Sequence, residues 1–172
     1  MSMNDQRAET WEHVPRQGQD AASEADFPPY ICVILMRSTA PGEPLQVFVE
    51  QRPADSSVAG GKLCCFGGKR ERGEQPLHAI LRECREELAW TPSDLVRAVD
   101  LYVDGKLIAW FYLAAAPPAG TPLKFEEGVQ GVWITLSDAR LSEWHQAVLQ
   151  AWARDRTNCR VSTLADGANR AT

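Results

Sequence analysis

Several absences narrow what this chain can be. No stretch approaches the roughly 20 consecutive apolar residues of a membrane helix. The first 26 residues are polar and contain no apolar core of the kind a secretory leader carries. There is no block of Lys and Arg. Eighteen basic residues stand against 23 acidic ones, a formal net charge of −5, so a nucleic acid polymer or a membrane surface is not the expected partner. The five cysteines are odd in number and none form a C-x-x-C pair, while His13, His78 and His145 lack the spacing of a zinc site. A reduced, cytoplasmic protein is the expectation. The adjacent Cys64 and Cys65 alternate across a strand, which predicts one buried and one exposed thiol. No internal repeat is visible.

What remains is a chain of 172 residues, 44% hydrophobic and 24% charged, enough for one domain with its own core. Residues 1–26 read as a polar tail, residues 27–157 as the domain, and residues 158–172 as a loose second tail. Tyr30 to Met36 is a continuous apolar run suited to a central strand, and Leu45 to Gln51 is its expected hairpin partner. Lys62 to Phe66 forms a short strand leading to a glycine pair. Ala98 to Val103 and Lys106 to Ala115 form a hairpin through Asp104-Gly105, a favoured turn pair. Val132 to Leu136 is a further strand, and Leu141 to Arg154 has apolar residues at helical spacing. Strands that precede, flank and follow a central helix predict an α/β fold, a mixed sheet with helices on both faces.

The chemistry is concentrated between Gly67 and Trp90. A helix is predicted from about Gln75 to Ala89, with Pro76 in its first turn, where a missing N–H costs nothing. Leu77, Ile80, Leu81, Cys84 and Leu88 give it an apolar face; Glu83, Glu86 and Glu87 fall on the adjacent face, where the small Ala79 leaves room. Three carboxylates this close repel one another unless a cation neutralises them. Mg²⁺ does so with oxygen ligands and bridges carboxylates to phosphates. Arg82 and Arg85 support a plainer alternative, a salt-bridged solvated helix. The glycines favour a site. Gly67 and Gly68, read as a loop before the helix, let backbone approach a ligand or metal, Gly73 permits a sharp turn, and Glu74 is placed to fold back onto Arg82. Arg52, Lys69 and Arg70 are candidates to meet substrate phosphates. Trp110, Phe111 and Trp133 are candidates to stack on a base, though each also suits the core.

From Gly68 the spacing runs Gly, five residues, Glu74, seven residues, Arg82-Glu83, two residues, Glu86-Glu87. This resembles the signature of the Nudix hydrolase superfamily, the MutT-like pyrophosphohydrolases. Ala89 stands where that family usually has glycine, and Cys84 fills an aliphatic position. The resemblance implies a Nudix-type α/β/α sandwich and hydrolysis of a nucleoside diphosphate linked to a further group, a nucleotide-sized substrate such as an oxidised nucleoside triphosphate. It implies Mg²⁺, or Mn²⁺ in its place, held by Glu83, Glu86, Glu87 and the Gly67 carbonyl, with Glu74 and Arg82 as a structural pair. It implies a further acid from a later loop, where Glu126 and Glu127 stand; Glu127 is the preferred one. Family members are often homodimers. The competing readings are a nucleotide-sensing module on the same fold and an unrelated protein whose helix is salt-bridged by chance.

Overall fold

The computed structural model describes residues 24–37, 43–155 and 159–163. In chain order the elements are β1 (Tyr30–Arg37), β2 (Gln46–Gln51), β3 (Leu63–Cys64), β4 (Phe66–Lys69), α1 (Pro76–Leu88), β5 (Val96–Val103), β6 (Lys106–Ala115), β7 (Gln130–Thr135), α2 (Glu143–Arg154) and β8 (Cys159–Thr163). The N-terminal tail lies outside the described residues except for a single 3-10 turn at Glu24–Asp26. Residues 38–42, between β1 and β2, also lie outside them.

The apolar run of β1 is the centre of the molecule, and its alternation builds two cores. Ile31, Val33 and Leu35 face one side with Phe48, Phe66 and the α1 residues Ala79, Ile80, Cys84 and Leu88. Cys32 and Ile34 face the other side with Val47, Val49, Phe111 and the α2 residues Ala147, Val148, Leu149 and Trp152. Strand residues point alternately to opposite faces, so a run apolar at every position requires a sheet covered on both sides. Each fully buried Ile, Leu or Val contributes roughly 1.5–3 kcal/mol. The helices supply that cover, and the result is the expected α/β/α sandwich.

The strand order is β3-β2-β1-β6-β5-β8, with β4 added on β1 and β7 on β2. β1 runs parallel to β6, and β5 parallel to β8; the remaining pairs are antiparallel, so the sheet is mixed. The first half of β1 pairs with β4 and its second half with β2. This split brings the glycine pair beside the centre of the sheet. The β5–β6 hairpin turns through Asp104 and Gly105, both at positive φ (49° and 77°), the signature its dipeptide predicts.

Four local readings need correction. The glycine pair is not a loop: Gly67 and Gly68 lie within β4, opposite Cys32 and Ile31. Cys64 and Cys65 are both buried, at 5% and 2% exposure, because both faces of the sheet are dry at this point. On α1, Leu77 is exposed and Ala79 is buried, so the face packed on the sheet follows the rows Ala79–Glu83–Glu87 and Ile80–Cys84–Leu88. The chain beyond Asn158 is not loose throughout. Cys159–Thr163 pairs with β5 because Val161 and Thr163 alternate inward, 8% and 3% exposed.

Candidate active site on the first long helix

The rotation of α1 is what makes a site. With Ala79 and Ile80 against the sheet, the next residues along the same rows, Glu83 and Glu87, are drawn towards β4 rather than into solvent. The Glu83 side chain is 12% exposed, whereas that of Glu86, further round the helix, is 55% exposed. Gly67 donates its backbone N–H to Glu87 Oε2 at 2.9 Å. Gly68 lies directly beneath Glu83. A Cβ built on it would sit 2.6 Å from Glu83 Oε1 and 2.7 Å from Oε2. Glycine is needed at both positions for different reasons. Gly67 has φ of +134° and its absent Cβ would meet the Ile31 carbonyl oxygen at 2.2 Å, so β4 can approach β1 only without a side chain.

Arg82 organises the rest. Its Nε donates to Glu74 Oε1 at 2.9 Å and Nη2 to Glu74 Oε2 at 3.1 Å, the bidentate fork typical of a strong guanidinium–carboxylate pair. Nη2 also donates to the Lys69 carbonyl at 3.1 Å. Nη1 donates to Glu83 Oε1 at 2.9 Å and to Glu86 Oε2 at 3.1 Å. Glu74 in turn accepts the Glu71 N–H at 3.0 Å. One guanidinium therefore ties the end of β4, the loop before α1 and two helix carboxylates together. The fold-back of Glu74 onto Arg82 expected from their spacing is present. Gly73, at φ of +76°, makes the turn that allows it. Arg82 and the Glu71 N–H together hold the Glu74 carboxyl below the usual range.

The carboxylates differ in their electrostatics. Burial pushes Glu87 up to about 8, with the charge of Glu50 adding to it and the Gly67 N–H opposing. Burial also raises Glu83, with Arg82 opposing. The sequence reading missed Glu50. This β2 residue is 4% exposed, lies on the same face as Phe48, and has Arg52 Nη1 on its Oε1 at 2.9 Å. Burial raises it, Arg52 opposes, and the charges of Glu126 and Glu83 add to the rise. The alternation V-F-V-E offered the signal: whatever face holds Phe48 also holds Glu50.

The remaining candidates are dispersed. Arg52 reaches the site through Glu50. Lys69 ends β4 with an exposed side chain. Arg70 is engaged with the loop backbone. Its guanidinium donates to the Pro28 carbonyl at 3.2 Å and the Glu74 carbonyl at 2.8 Å and lies over the Phe27 ring, so it braces the loop. Glu126 and Glu127 are both exposed on the loop between β6 and β7. That loop is anchored at one end by the Lys124 N–H on the Leu88 carbonyl (3.2 Å) and at the other by Gly128 against Pro53. Phe125 packs on Phe48 and Phe66 between them. Glu126, rather than the preferred Glu127, is the loop carboxylate whose charge reaches Glu50. Of the aromatic candidates, Phe111 is 1% exposed in the α2-side core, Trp110 lies under Arg97, and Trp133 packs on Phe48 beneath Arg37.

A helix that turns Glu83 and Glu87 to a glycine-bearing strand, carries Glu86 beside them and is tied by a Glu–Arg pair eight residues apart lies within the stretch, residues 26–152, that the NUDIX domain matches. The chain belongs to the Nudix family. Within it the chain is a MutT-like hydrolase, a nucleotide pyrophosphohydrolase by class. It is 34% identical over 97 residues to the 8-oxo-dGTP diphosphatase of Escherichia coli (strain K12), covering 53% of this chain and 70% of that protein. A solved MutT structure from a study of the Aliivibrio salmonicida and Vibrio cholerae enzymes superposes with a TM-score of 0.50 at 28% identity, covering 63% of this chain and 80% of that one. The MutT protein from Methanosarcina mazei Go1 superposes with a TM-score of 0.56 at 22% identity, over 76% and 97% of the two chains, and speaks for the fold alone.

The donor set fits a hard divalent cation of the kind Nudix hydrolases use. Every candidate ligand is a carboxylate or backbone oxygen, the chemistry Mg²⁺ prefers. Glu87 is a largely buried acid that a cation would stabilise in its charged form. Among the described residues no three acidic, His or Cys side chains converge on one point; Glu83 and Glu86 instead share the Arg82 guanidinium.

Proposed function

We propose that this Nudix chain hydrolyses the pyrophosphate bond of a nucleoside triphosphate or a closely related nucleotide with Mg²⁺ as cofactor, and that an oxidised purine triphosphate is its first candidate substrate. The observation that carries the reading is the partly sequestered pair Glu83 and Glu87, held over Gly67 and Gly68 by α1 and by Arg82. Acids placed against a bare strand, rather than fanned into water, suit ligand binding better than solubility. The likeness to the Escherichia coli 8-oxo-dGTP diphosphatase supports the substrate class. The five cysteines are all free, which suits a reducing cytoplasm.

Glu83, Glu86, Glu87 and the Gly67 carbonyl would hold the metal. When bound, it supplies Lewis acidity at a phosphoryl oxygen and lowers the pKa of an attacking water. The protein's own groups do the positioning. Arg82 and Glu74 fix the strand-to-helix loop so that Glu83 and Glu86 keep their places. Arg52 and Lys69 supply positive charge for the phosphates in a chain that is acidic overall. Glu126 or Glu127, on the loop pinned to Leu88 and Pro53, would supply a carboxylate to take a proton from the water as the P–O bond breaks.

The test is a panel of canonical and oxidised nucleoside triphosphates, with released phosphate or pyrophosphate measured in Mg²⁺, in Mn²⁺ and in chelator. Turnover should require the metal, and Glu86→Gln should lose it by orders of magnitude while its melting temperature holds. Equal rates in chelator would refute the metal reading, and binding without product across the panel would make the chain a sensor.

A further inference from the structure

Glu50 has no place in the chemistry above, yet it is the most deeply buried charge near the site. It is 4% exposed, and its cross-strand neighbours are Cys64 on β3 and Gly131 on β7, neither of which carries a charge to offset it. A buried carboxylate persists only when something pairs with it. Here that partner is Arg52, two residues along the same face, at 2.9 Å. Arg52 is fixed in turn: its N–H donates to the Lys62 carbonyl at 3.0 Å, which keeps it in register past the end of β2. One terminal nitrogen of its guanidinium is spent on Glu50. The side chain stays 33% exposed, while its Nε is buried with no hydrogen-bond partner among the described residues, so the accessible part of the guanidinium is its terminal end. An anionic oxygen is the acceptor that a guanidinium N–H binds best.

We propose that Glu50 is a positioning residue for substrate. It grips Nη1 of Arg52 and thereby presents the other terminal nitrogen, Nη2, of that partly exposed guanidinium to a phosphate oxygen of the nucleotide. The role deepens the nucleotide reading above and rests on it. Free rotation of an unpaired arginine would scatter its fork over many rotamers, whereas a carboxylate behind it selects one. The surroundings agree. Arg52 is close enough for its charge to act on Glu87 and on His145. Pro53 follows it directly and packs against Gly128 of the β6–β7 loop, which places the pair at the margin where that loop meets the site.

A merely structural ion pair makes a different prediction, so a double-mutant cycle on the full chain decides. Wild type, Glu50→Gln, Arg52→Ala and the double variant are compared by kcat and KM on the best substrate of the panel, and by Kd for an α,β-methylene nucleoside triphosphate. If Glu50 acts through Arg52, Glu50→Gln raises KM and Kd about tenfold with kcat little changed, and Arg52→Ala raises them about ten- to a hundredfold. The double variant is then no worse than Arg52→Ala alone. Independent, multiplying effects overturn the proposal, as does a Glu50→Gln protein with wild-type KM. Should Glu50→Gln fail to fold, Arg52→Lys reads the same geometry, because it keeps the charge and gives up the fork; a wild-type KM there overturns the proposal. A wild type that binds the methylene analogue without turning over any nucleotide refutes the hydrolase reading but leaves the coupling readable in Kd. A wild type that neither binds nor turns over refutes both.

Discussion

A single methyl group at Gly68 should cut turnover about a hundredfold and leave the fold standing, while the same group at Gly67 should damage the fold first. At Gly68 the new Cβ would sit 2.6–2.7 Å from the Glu83 carboxylate. Ordinary contact needs the carboxylate to retreat by roughly 0.7 Å. A side-chain end can move that far at little cost to stability, and Gly68 is not among the glycines at positive φ, so alanine meets no backbone strain. The gain in chain stiffness offsets part of any loss. A change within about 1 kcal/mol is expected, a melting shift of no more than about 2–4 °C for a chain of this size. Misplacing a catalytic group by a comparable distance costs about a hundredfold in rate. At Gly67 the Cβ would lie 2.2 Å from the Ile31 carbonyl oxygen and 2.7 Å from the Cys32 Cα, with φ at +134°. Backbone cannot step aside as a side chain can, so β4 must part from β1. The expected loss is roughly 3 kcal/mol or more, a fall of about 6–12 °C. Thermal melts paired with kcat on the same preparations check both. Gly68→Ala with full kcat, or with a melting loss equal to that of Gly67→Ala, would refute the claim that β4 serves Glu83 by leaving space.

Two further outcomes follow from groups outside the carboxylate cluster. His145 accepts the Cys65 N–H on Nδ1 at 2.9 Å, and burial, with Arg52 nearby, lowers it from 6.5 to about 4. Protonation would set two donors against each other. Because the folded value is depressed, the stability this ring contributes is complete above pH 6.5 and is lost as pH falls towards 4, up to about 3 kcal/mol. Urea melts between pH 7 and pH 4 should show the decline, and His145→Phe should flatten it. Ala89, the αL residue that ends α1 at φ of 52°, should be improved by glycine. Ala89→Gly is expected to raise stability by about 1 kcal/mol, about 2–4 °C; an unchanged or lower melting temperature would show that the helix end is not strained.

Some of this was legible in the residues and some was not, for physical reasons. The run Tyr30 to Met36 could only be a strand covered on both faces, so the sandwich followed from it. Glu74 and Arg82 were readable because a turn glycine, Gly73, stands just before Glu74 and lets the chain double back within a few residues. Glu50 was missed because one acid in a half-polar strand reads as solvent-facing, although its alternation with Phe48 puts it on the buried face. Arg70 read as a ligand to phosphate because charge carries no direction in a sequence, and its guanidinium donates to the backbone carbonyls of Pro28, Glu71 and Glu74. β8 was missed because C-R-V-S-T is too short and polar to declare itself; pairing with β5, far away in the chain, makes it a strand. The helix face was misjudged at Leu77 and Ala79, where a small residue inside and a large one outside reversed the usual order.

The parallel pairing of β1 with β6 has a consequence for synthesis. Tyr30 must wait for Ala109, and Val99 must wait for Cys159, before either has its neighbour. At translation rates of about 5–20 residues per second the nascent chain carries β1, its most apolar segment, for several seconds with one rim unpaired. High contact order of this kind slows folding and leaves an adhesive edge beside the ribosome.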